Sequence, residues 1–337
     1  MDRPVRVGIN GFGRIGRVFT RIAWDNPNVD IVAVNSRSGI DQYAHLLKYD
    51  SVYRTWDRDV SVQGSQLLVG GRTIDFYRAS HPDRIPWARR HVDVVIESTG
   101  QFRSKSEAQG HLGPSVQAVV VSAPARDVDA TVVYGVNHTD IHPQRNLVIS
   151  AASCTTNCLA PIVKVIHGHL GIASGIVVST HSMTGSQNIV DGTHKKDVRR
   201  ARASGSIIPT STGAAKAIGK LFPDLIGKLD GKANRVPIAS PSLMSLAVVV
   251  SKQTSVQEVN DLFRAEAGGS LHGVLAAVED ELVSSDFIGS AYAANVDLGC
   301  TRVVGGTLVH IDAWYDNEWG YATHLVRLVE YLGSILA

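Results

Sequence analysis

The chain has 337 residues, which at ~150 residues per domain is enough for two domains, each with its own core. Hydrophobic residues make up 44% and charged residues 19%, the balance of a folded protein and not of a disordered or fibrous one. A formal net charge of +2 gives no electrostatic case for a nucleic-acid or membrane partner, and neither is expected.

The opening residues mix Arg, Asn and Asp with apolar ones, so they lack the charged-then-apolar pattern of a secretory signal. No later stretch of ~18 apolar residues reaches the length of a bilayer span, so a cytoplasmic address is the expectation. Three cysteines are too few, and odd in number, for a disulfide framework, and each reads as a thiol.

From Val5 to Ser153 short β-branched runs alternate with amphipathic stretches: "VRVGIN", "DIVAVNS", "VDVVIEST", "QAVVVSAP", "ATVVYGVN" and "NLVISAAS". Such runs are buried parallel strands with helices between them, which predicts a doubly wound α/β domain. The first run leads into "GFGRIGR", with Gly11, Gly13 and Gly16 in G-x-G-x-x-G spacing at the start of a helix. These glycines permit the tight turn, the close approach of backbone to a pyrophosphate and close helix packing, while the helix N-terminus offers N–H donors to the anion. With "DIVAVN" as the next strand, this is the fingerprint of a Rossmann dinucleotide-binding domain.

About twenty residues past the third glycine, an acidic residue normally accepts a hydrogen bond from the adenosine ribose 2′-hydroxyl and repels a 2′-phosphate. The chain has "VNSRSG" there, with Ser36 in the acidic position and Arg37 after it. The repulsion is gone and a cation is at hand, so NADP is favoured over NAD, with use of both as the alternative. The competing reading is an Arg37 that simply faces solvent.

The first half ends in "SAASCTTNCLAP". Cys154 follows an apolar strand, Ser153, Thr155 and Thr156 are good capping residues, and "NCLAPIVKVIHGHL" is helix-compatible. A thiol at a helix N-terminus feels the positive end of the dipole, which lowers its pKa toward the thiolate. Cys158 lacks the further Cys or His that a metal site needs and reads as a packed small hydrophobe, as does Cys300 in "DLGCTRVV". His181, closing "GIVVSTHS", is one of 13 histidines and by itself reads as structural.

The later segments "GIVVSTHS", "RVPIASPSLMSLAVVVSK" and "GTLVHIDAWYD" are longer, and a helical stretch surrounds "VQEVNDLFRAEA". They predict an α+β domain with a mixed or antiparallel sheet packed on helices. The final "YATHLVRLVEYLGSIL" places Leu325, Val326, Leu328, Val329, Leu332, Ile335 and Leu336 at near-helical spacing, an amphipathic helix that must dock somewhere. No linker separates the halves. The expected domains are residues 1–153, with a C-terminal helix 318–337 folding back on them, and residues 154–317.

In order and spacing, "INGFGRIGR", "HLLKYDS", "SCTTNCLAP", "KKDVRRARA", "IIPTSTGAAKA", "RVP" and "AWYDNEWGY" resemble the phosphorylating glyceraldehyde-3-phosphate dehydrogenases, from about Val5 to the final helix. The resemblance implies reversible, NAD(P)-dependent oxidation of glyceraldehyde 3-phosphate with inorganic phosphate to 1,3-bisphosphoglycerate, by a homotetramer without a metal. NAD would suit glycolysis, and NADP the reductive, gluconeogenic direction. Cys154 would be the nucleophile that forms a thiohemiacetal, and His181 would take the hydroxyl proton as hydride leaves for the nicotinamide. Phosphate would then attack the acyl-thioester. Asn317 would hold the nicotinamide carboxamide, and the Cys154 N–H would help stabilise the oxyanion.

The other implied cofactor contacts are Phe12, Arg14 and Ile15 in the glycine turn, Asn35 beside Ser36, and Arg78, Ser98, Thr99, Gly100 and Ser122. Two anion sites would flank the cysteine. Ser153, Thr155, Thr212 and Gly213 match the attacking-phosphate site, Thr184 and Arg235 match the substrate-phosphate site, and Arg200 stands near both. Hydroxyls and N–H groups hold a dianion while committing few full charges.

The sequence departs from the family pattern at Ser36, at Met183 and Ser186 beside Thr184, at Gly192 and Thr193, and at Ser80, where an adenine-side Arg is usual. A related erythrose-4-phosphate dehydrogenase is the nearest rival, but such enzymes commonly alter "TSTGAAK", which is intact here. A non-catalytic nucleic-acid-binding or scaffold relative is the rival from another class, opposed by the intact Cys, His, Thr and Arg set.

Overall fold

The computed structural model describes residues 3–142, 146–195 and 197–336. The chain divides into two compact units, residues 1–153 with 322–337, and residues 154–321. Among the described residues no helix is long and apolar enough to cross a membrane.

The first unit is built on a nine-stranded sheet among the described residues. Its spatial order is Ala130–Thr131, Leu147–Ser150, Ala118–Val121, Val94–Glu97, Val5–Asn10, Val29–Asn35, Arg72–Tyr77, Gln66–Val69 and Val60–Gln63. From Ala130–Thr131 to Arg72–Tyr77 every neighbouring pair is parallel. The chain starts at Val5–Asn10, runs to one side through Val29–Asn35, and later returns to the other side at Val94–Glu97. That change of direction makes the carboxyl end of Val5–Asn10 the switch point at which open α/β sheets bind ligands. The inner strands are buried on both faces, with Val7, Ile9, Val94, Val95, Ile96, Val119 and Val120 wholly enclosed, as parallel strands covered by helices must be.

Two features differ from the sequence reading. The edge strands Val60–Gln63 and Gln66–Val69 form an antiparallel meander with Arg72–Tyr77 that the pattern of long β-branched runs does not reveal. In "ATVVYGVN" the strand is short: Ala130 and Thr131 are in register with Ile149 and Ser150, and Val132 N makes a last bond to Ser150 O (2.8 Å). The Asn137 side chain ends the strand: its Oδ1 accepts from Val133 N (2.8 Å) and its Nδ2 donates to Thr131 O (3.0 Å), taking groups a longer ladder would use.

The second unit carries a seven-stranded mixed sheet among the described residues, ordered Ile208–Ser211, Leu229–Arg235, Ile172–His181, Ser242–Val250, Leu308–Tyr315, Ala294–Val304 and Leu275–Val278. The helices Cys154–Leu170, Ala214–Leu221 and Val256–Gly268 pack on it, the last opened by Ser255, whose side chain accepts from Glu258 N. "RVPIASPSLMSLAVVVSK" is not one extended segment. Arg235 ends one strand, Ser242 begins another, and Ile172–His181 lies between them. Pro237 and Pro241 remove two N–H donors from the intervening stretch, which cannot continue a ladder.

The last helix spans Trp319–Leu336, one residue inside the expected start, because Asp316 Oδ1 accepts from Glu318 N (3.0 Å) and Trp319 N (2.9 Å) and so caps it. From Ala322 onward it belongs to the first unit, and Leu325, Val326, Leu328, Val329 and Leu332 are buried.

Candidate active site

In the first unit the glycine turn joins Val5–Asn10 to the helix Arg14–Ala23, and each glycine has its own reason. Gly11 has φ +96°, and a Cβ there would lie 2.6 Å from the Thr99 amide nitrogen. A Cβ on Gly16 would lie 2.5 Å from Gly11 O, inside the turn itself. A Cβ on Gly13 would meet no atom within 4 Å among the described residues, so its missing side chain leaves open space in front of the helix start. That clearance is what a pyrophosphate approaching the backbone requires.

A cleft of about 270 Å³ opens at this switch point. Of the expected cofactor contacts, Gly11, Phe12, Gly13, Asn35, Ser36, Arg37, Ser98 and Thr99 line it. Gly16 supports the turn from within, while Arg14, Ile15, Arg78, Gly100 and Ser122 are not in the lining. Arg14 is turned to Asp50 (3.0 Å) and Tyr53, Arg78 donates to Arg37 O (3.1 Å), and Ser122 N donates to Glu97 O (2.9 Å). The cleft also uses Tyr43, which the sequence does not single out.

Beneath the cleft lies a buried polar network that sequence reasoning missed. Glu97 Oε2 accepts from Asn10 Nδ2 (2.5 Å) and lies 3.1 Å from His111 Nε2, and Glu97 Oε1 accepts from the amide and hydroxyl of Thr99. Trp87 Nε1 donates to His111 Nδ1 (3.1 Å), which leaves Nε2 as the protonated nitrogen that donates to Glu97. Asn35 Nδ2 donates to Asn10 Oδ1 (2.8 Å) and to Ala79 O (3.0 Å), and Ser98 Oγ donates to Gly11 O (2.7 Å). The strand ends that surround the cleft are therefore tied to one another and not merely adjacent.

In the second unit Cys154 opens the helix Cys154–Leu170. Two residues earlier Ala152 has φ +56°, a left-handed conformation that a non-glycine residue holds only where its surroundings enforce it. His181 ends its strand and is the register partner of Arg235 on the parallel neighbour. Sheet pairing thus brings together side chains 54 positions apart. Cys154 Sγ stands 3.5 Å from His181 Nε2, and Arg235 Nη1 lies 2.6 Å from His181 Nδ1 and 3.0 Å from Ser182 O.

The electrostatics correct one expectation. Burial pushes the Cys154 thiol up, although the Arg235 guanidinium and the hydroxyl and amide of Thr155 pull the other way. The helix terminus does not outweigh the loss of water. His181 is pulled down to about 4, by burial first and then by Arg235, so its imidazole is neutral at pH 7. Arg235 is itself lowered, by burial first, with Arg200 also repelling it. The Arg235 guanidinium beside the thiol, with that of Arg200 near enough to repel it, offers positive charge to an anion.

His181 Nδ1 also lies 2.8 Å from Ser182 O. With Nδ1–H donated to that carbonyl, Nε2 is bare and can accept the thiol proton. With Nδ1 accepting from Arg235, Nε2 carries the proton instead. Beneath this pair Tyr315, fully enclosed, holds Thr155 Oγ1 at 3.2 Å and Ser179 Oγ at 2.8 Å. Its place in "AWYDNEWGY" was the only sequence signal.

Asn317 Oδ1 accepts from Ser182 Oγ (2.7 Å) and Ser242 Oγ (3.1 Å), which fixes the carboxamide and leaves Nδ2 as its donor. Arg200 Nη2 donates to Thr210 Oγ1 (2.9 Å), and Thr184 is bound to Gln187 and Ser186. Thr212 Oγ1 accepts from Ala214 N (3.3 Å) and Gly213 precedes the helix Ala214–Leu221, so both stand at a helix start. Among the described residues no hydrogen bond joins Thr184, Arg200, Thr212 or Gly213 to Cys154 or His181. Ser153 directly precedes Cys154 and is half-buried.

Residues 5–105 match the family model for the glyceraldehyde 3-phosphate dehydrogenase NAD binding domain, and residues 153–317 match that for the C-terminal domain. The chain is 46% identical over 331 residues to glyceraldehyde-3-phosphate dehydrogenase of Geobacillus stearothermophilus, covering 98% of both chains. It is 46% identical to glyceraldehyde-3-phosphate dehydrogenase 1 of Bacillus cereus, again over 98% of each chain. To glyceraldehyde-3-phosphate dehydrogenase 2 of Streptomyces avermitilis it is 45% identical, over 98% of this chain and 99% of the relative. The chain belongs to the glyceraldehyde-3-phosphate dehydrogenase family.

Proposed function

We propose that the protein is an NAD(P)-dependent oxidoreductase that interconverts glyceraldehyde 3-phosphate plus inorganic phosphate with 1,3-bisphosphoglycerate. The observation that carries this reading is Cys154 Sγ at 3.5 Å from His181 Nε2, beside the Arg235 guanidinium. Sγ adds to the aldehyde carbon, and its proton passes by way of Nε2 to the aldehyde oxygen, giving a thiohemiacetal. In the oxidation Nε2 takes that hydroxyl proton as the carbonyl of the acyl-thioester forms. The nicotinamide, when bound, supplies the hydride acceptor. Inorganic phosphate then attacks the acyl carbon, the C–S bond breaks, and the sulfur recovers its proton from His181.

Arg235, Thr184 and Arg200 suit the phosphate of the substrate, and Ser153, Thr155, Thr212 and Gly213 suit the attacking phosphate. Asn317 presents Nδ2 to a carboxamide oxygen because two serine hydroxyls occupy its Oδ1. In the cofactor cleft Ser36 and Arg37 replace the carboxylate that repels a 2′-phosphate, so NADP is preferred. The sheet of the second unit leaves Ile176 59%, Val249 41% and Leu308 42% exposed, an apolar face that supports a homotetramer. Three unpaired thiols fit the reducing cytoplasm.

Cys154→Ser tests the chemistry. Turnover should fall by roughly a thousandfold or more, because a serine hydroxyl beside a neutral imidazole is the poorer nucleophile. NAD(P) binding by calorimetry should stay within about twofold, since the thiol is not part of the cleft. Substantial dehydrogenase activity in this variant would sink the covalent mechanism.

A further inference from the structure

Ser36 follows the strand Val29–Asn35, where the adenosine 2′ position is read. Its N–H is given to Tyr77 O (3.0 Å), and its hydroxyl lies 2.6 Å from the phenol oxygen of Tyr43, in the helix Ile40–Lys48. Two hydroxyls that share one hydrogen bond keep one O–H between them to donate elsewhere. Both residues line the cleft, next to Arg37, Ser38 and Ser80.

The Tyr43 ring is held from two directions. Phe12 of the glycine turn meets it edge-on with centroids 5.7 Å apart, and Phe76 of the neighbouring strand lies at 5.8 Å. Phe12 is fully enclosed and Phe76 nearly so, so the clamp is part of the core and the phenol oxygen is fixed before any nucleotide arrives. Arg37 is exposed on a flexible stem, and its guanidinium offers attraction with little geometry.

We infer that Tyr43 is a specificity-determining residue for the cofactor: with Ser36 it forms a preset hydroxyl pair that donates to the 2′-phosphate of NADP. The inference rests on the NADP preference proposed above. A hydrogen bond to a phosphate is charge-assisted and roughly twice as strong as one to a neutral 2′-hydroxyl, so the pair favours the phosphorylated nucleotide.

The test is equilibrium binding of NADP and of NAD to the full chain, for the parent, Tyr43→Phe and Arg37→Ala. Tyr43→Phe keeps the clamped ring and deletes only the hydroxyl, and an unchanged melting temperature checks that the fold is intact. It should weaken NADP by about tenfold and NAD by less than about twofold. Arg37→Ala should weaken NADP less than Tyr43→Phe does, with a loss that shrinks as salt rises. If the parent prefers NADP but Tyr43→Phe weakens both cofactors equally, or neither, the role of Tyr43 is overturned while the cofactor reading stands. If the parent prefers NAD, the cofactor reading falls, and the inference with it.

Discussion

At the scale of residues, His181 and Cys154 form a pair that burial keeps uncharged. His181 titrates at about 4 in the folded protein against about 6.5 unfolded, so between those values the unfolded chain binds the extra proton. Stability should fall as pH drops through that window by about 3 kcal/mol and level off below it. Denaturant titrations of His181→Asn should lack this part of the slope, and an unchanged slope would mean that His181 is not held neutral. Arg235 pulls the Cys154 thiol down against burial. Arg235→Ala should therefore move the pH midpoint of iodoacetamide alkylation upward, with Arg235→Lys in between. A downward shift would contradict the direction of that coupling.

At the scale of elements, the glycine turn separates two requirements that one motif combines. Gly16→Ala puts a methyl group 2.5 Å from Gly11 O and should cost about 2 kcal/mol or more in stability, seen as a lower melting temperature. The methyl group of Gly13→Ala has no neighbour within 4 Å among the described residues, so this variant should fold with the parent melting temperature and yet bind NAD(P) at least about tenfold more weakly. Equal effects of the two substitutions on stability would refute this division. The strand expected at "ATVVYGVN" shows the opposite balance: its β-branched residues favour a strand, but Asn137 reaches back to the backbone and ends it after Thr131.

At the scale of the whole molecule, the last helix completes the first unit although it follows the second in sequence. Burial of Leu325, Val326, Leu328, Val329 and Leu332 is worth on the order of 10 kcal/mol, comparable with the net stability of a domain. A chain ending at Tyr321 should therefore lose NAD(P) binding and the cooperative unfolding of the first unit, as measured by calorimetry. The exposed apolar face of the second sheet yields a separate prediction. For the homotetramer proposed above, Ile176→Asp with Val249→Asp should lower the mass seen by light scattering relative to the parent, and an unchanged mass would remove that face from the proposed interface.

The sequence by itself determined what depends on residues close together in the chain. The G-x-G-x-x-G turn is a steric demand within six positions, from Gly11 to Gly16. A cysteine after an apolar strand and before a helix is likewise legible from its neighbours, as is the amphipathic spacing of the last helix. Only the tertiary structure decided which distant groups meet. Parallel register sets His181 against Arg235, an aromatic clamp sets Tyr43 against Ser36, and a buried network joins Asn10, Glu97 and His111. It also decided the sign of the shift at Cys154, because desolvation sums over everything packed around the thiol, whereas a helix terminus acts over a single turn.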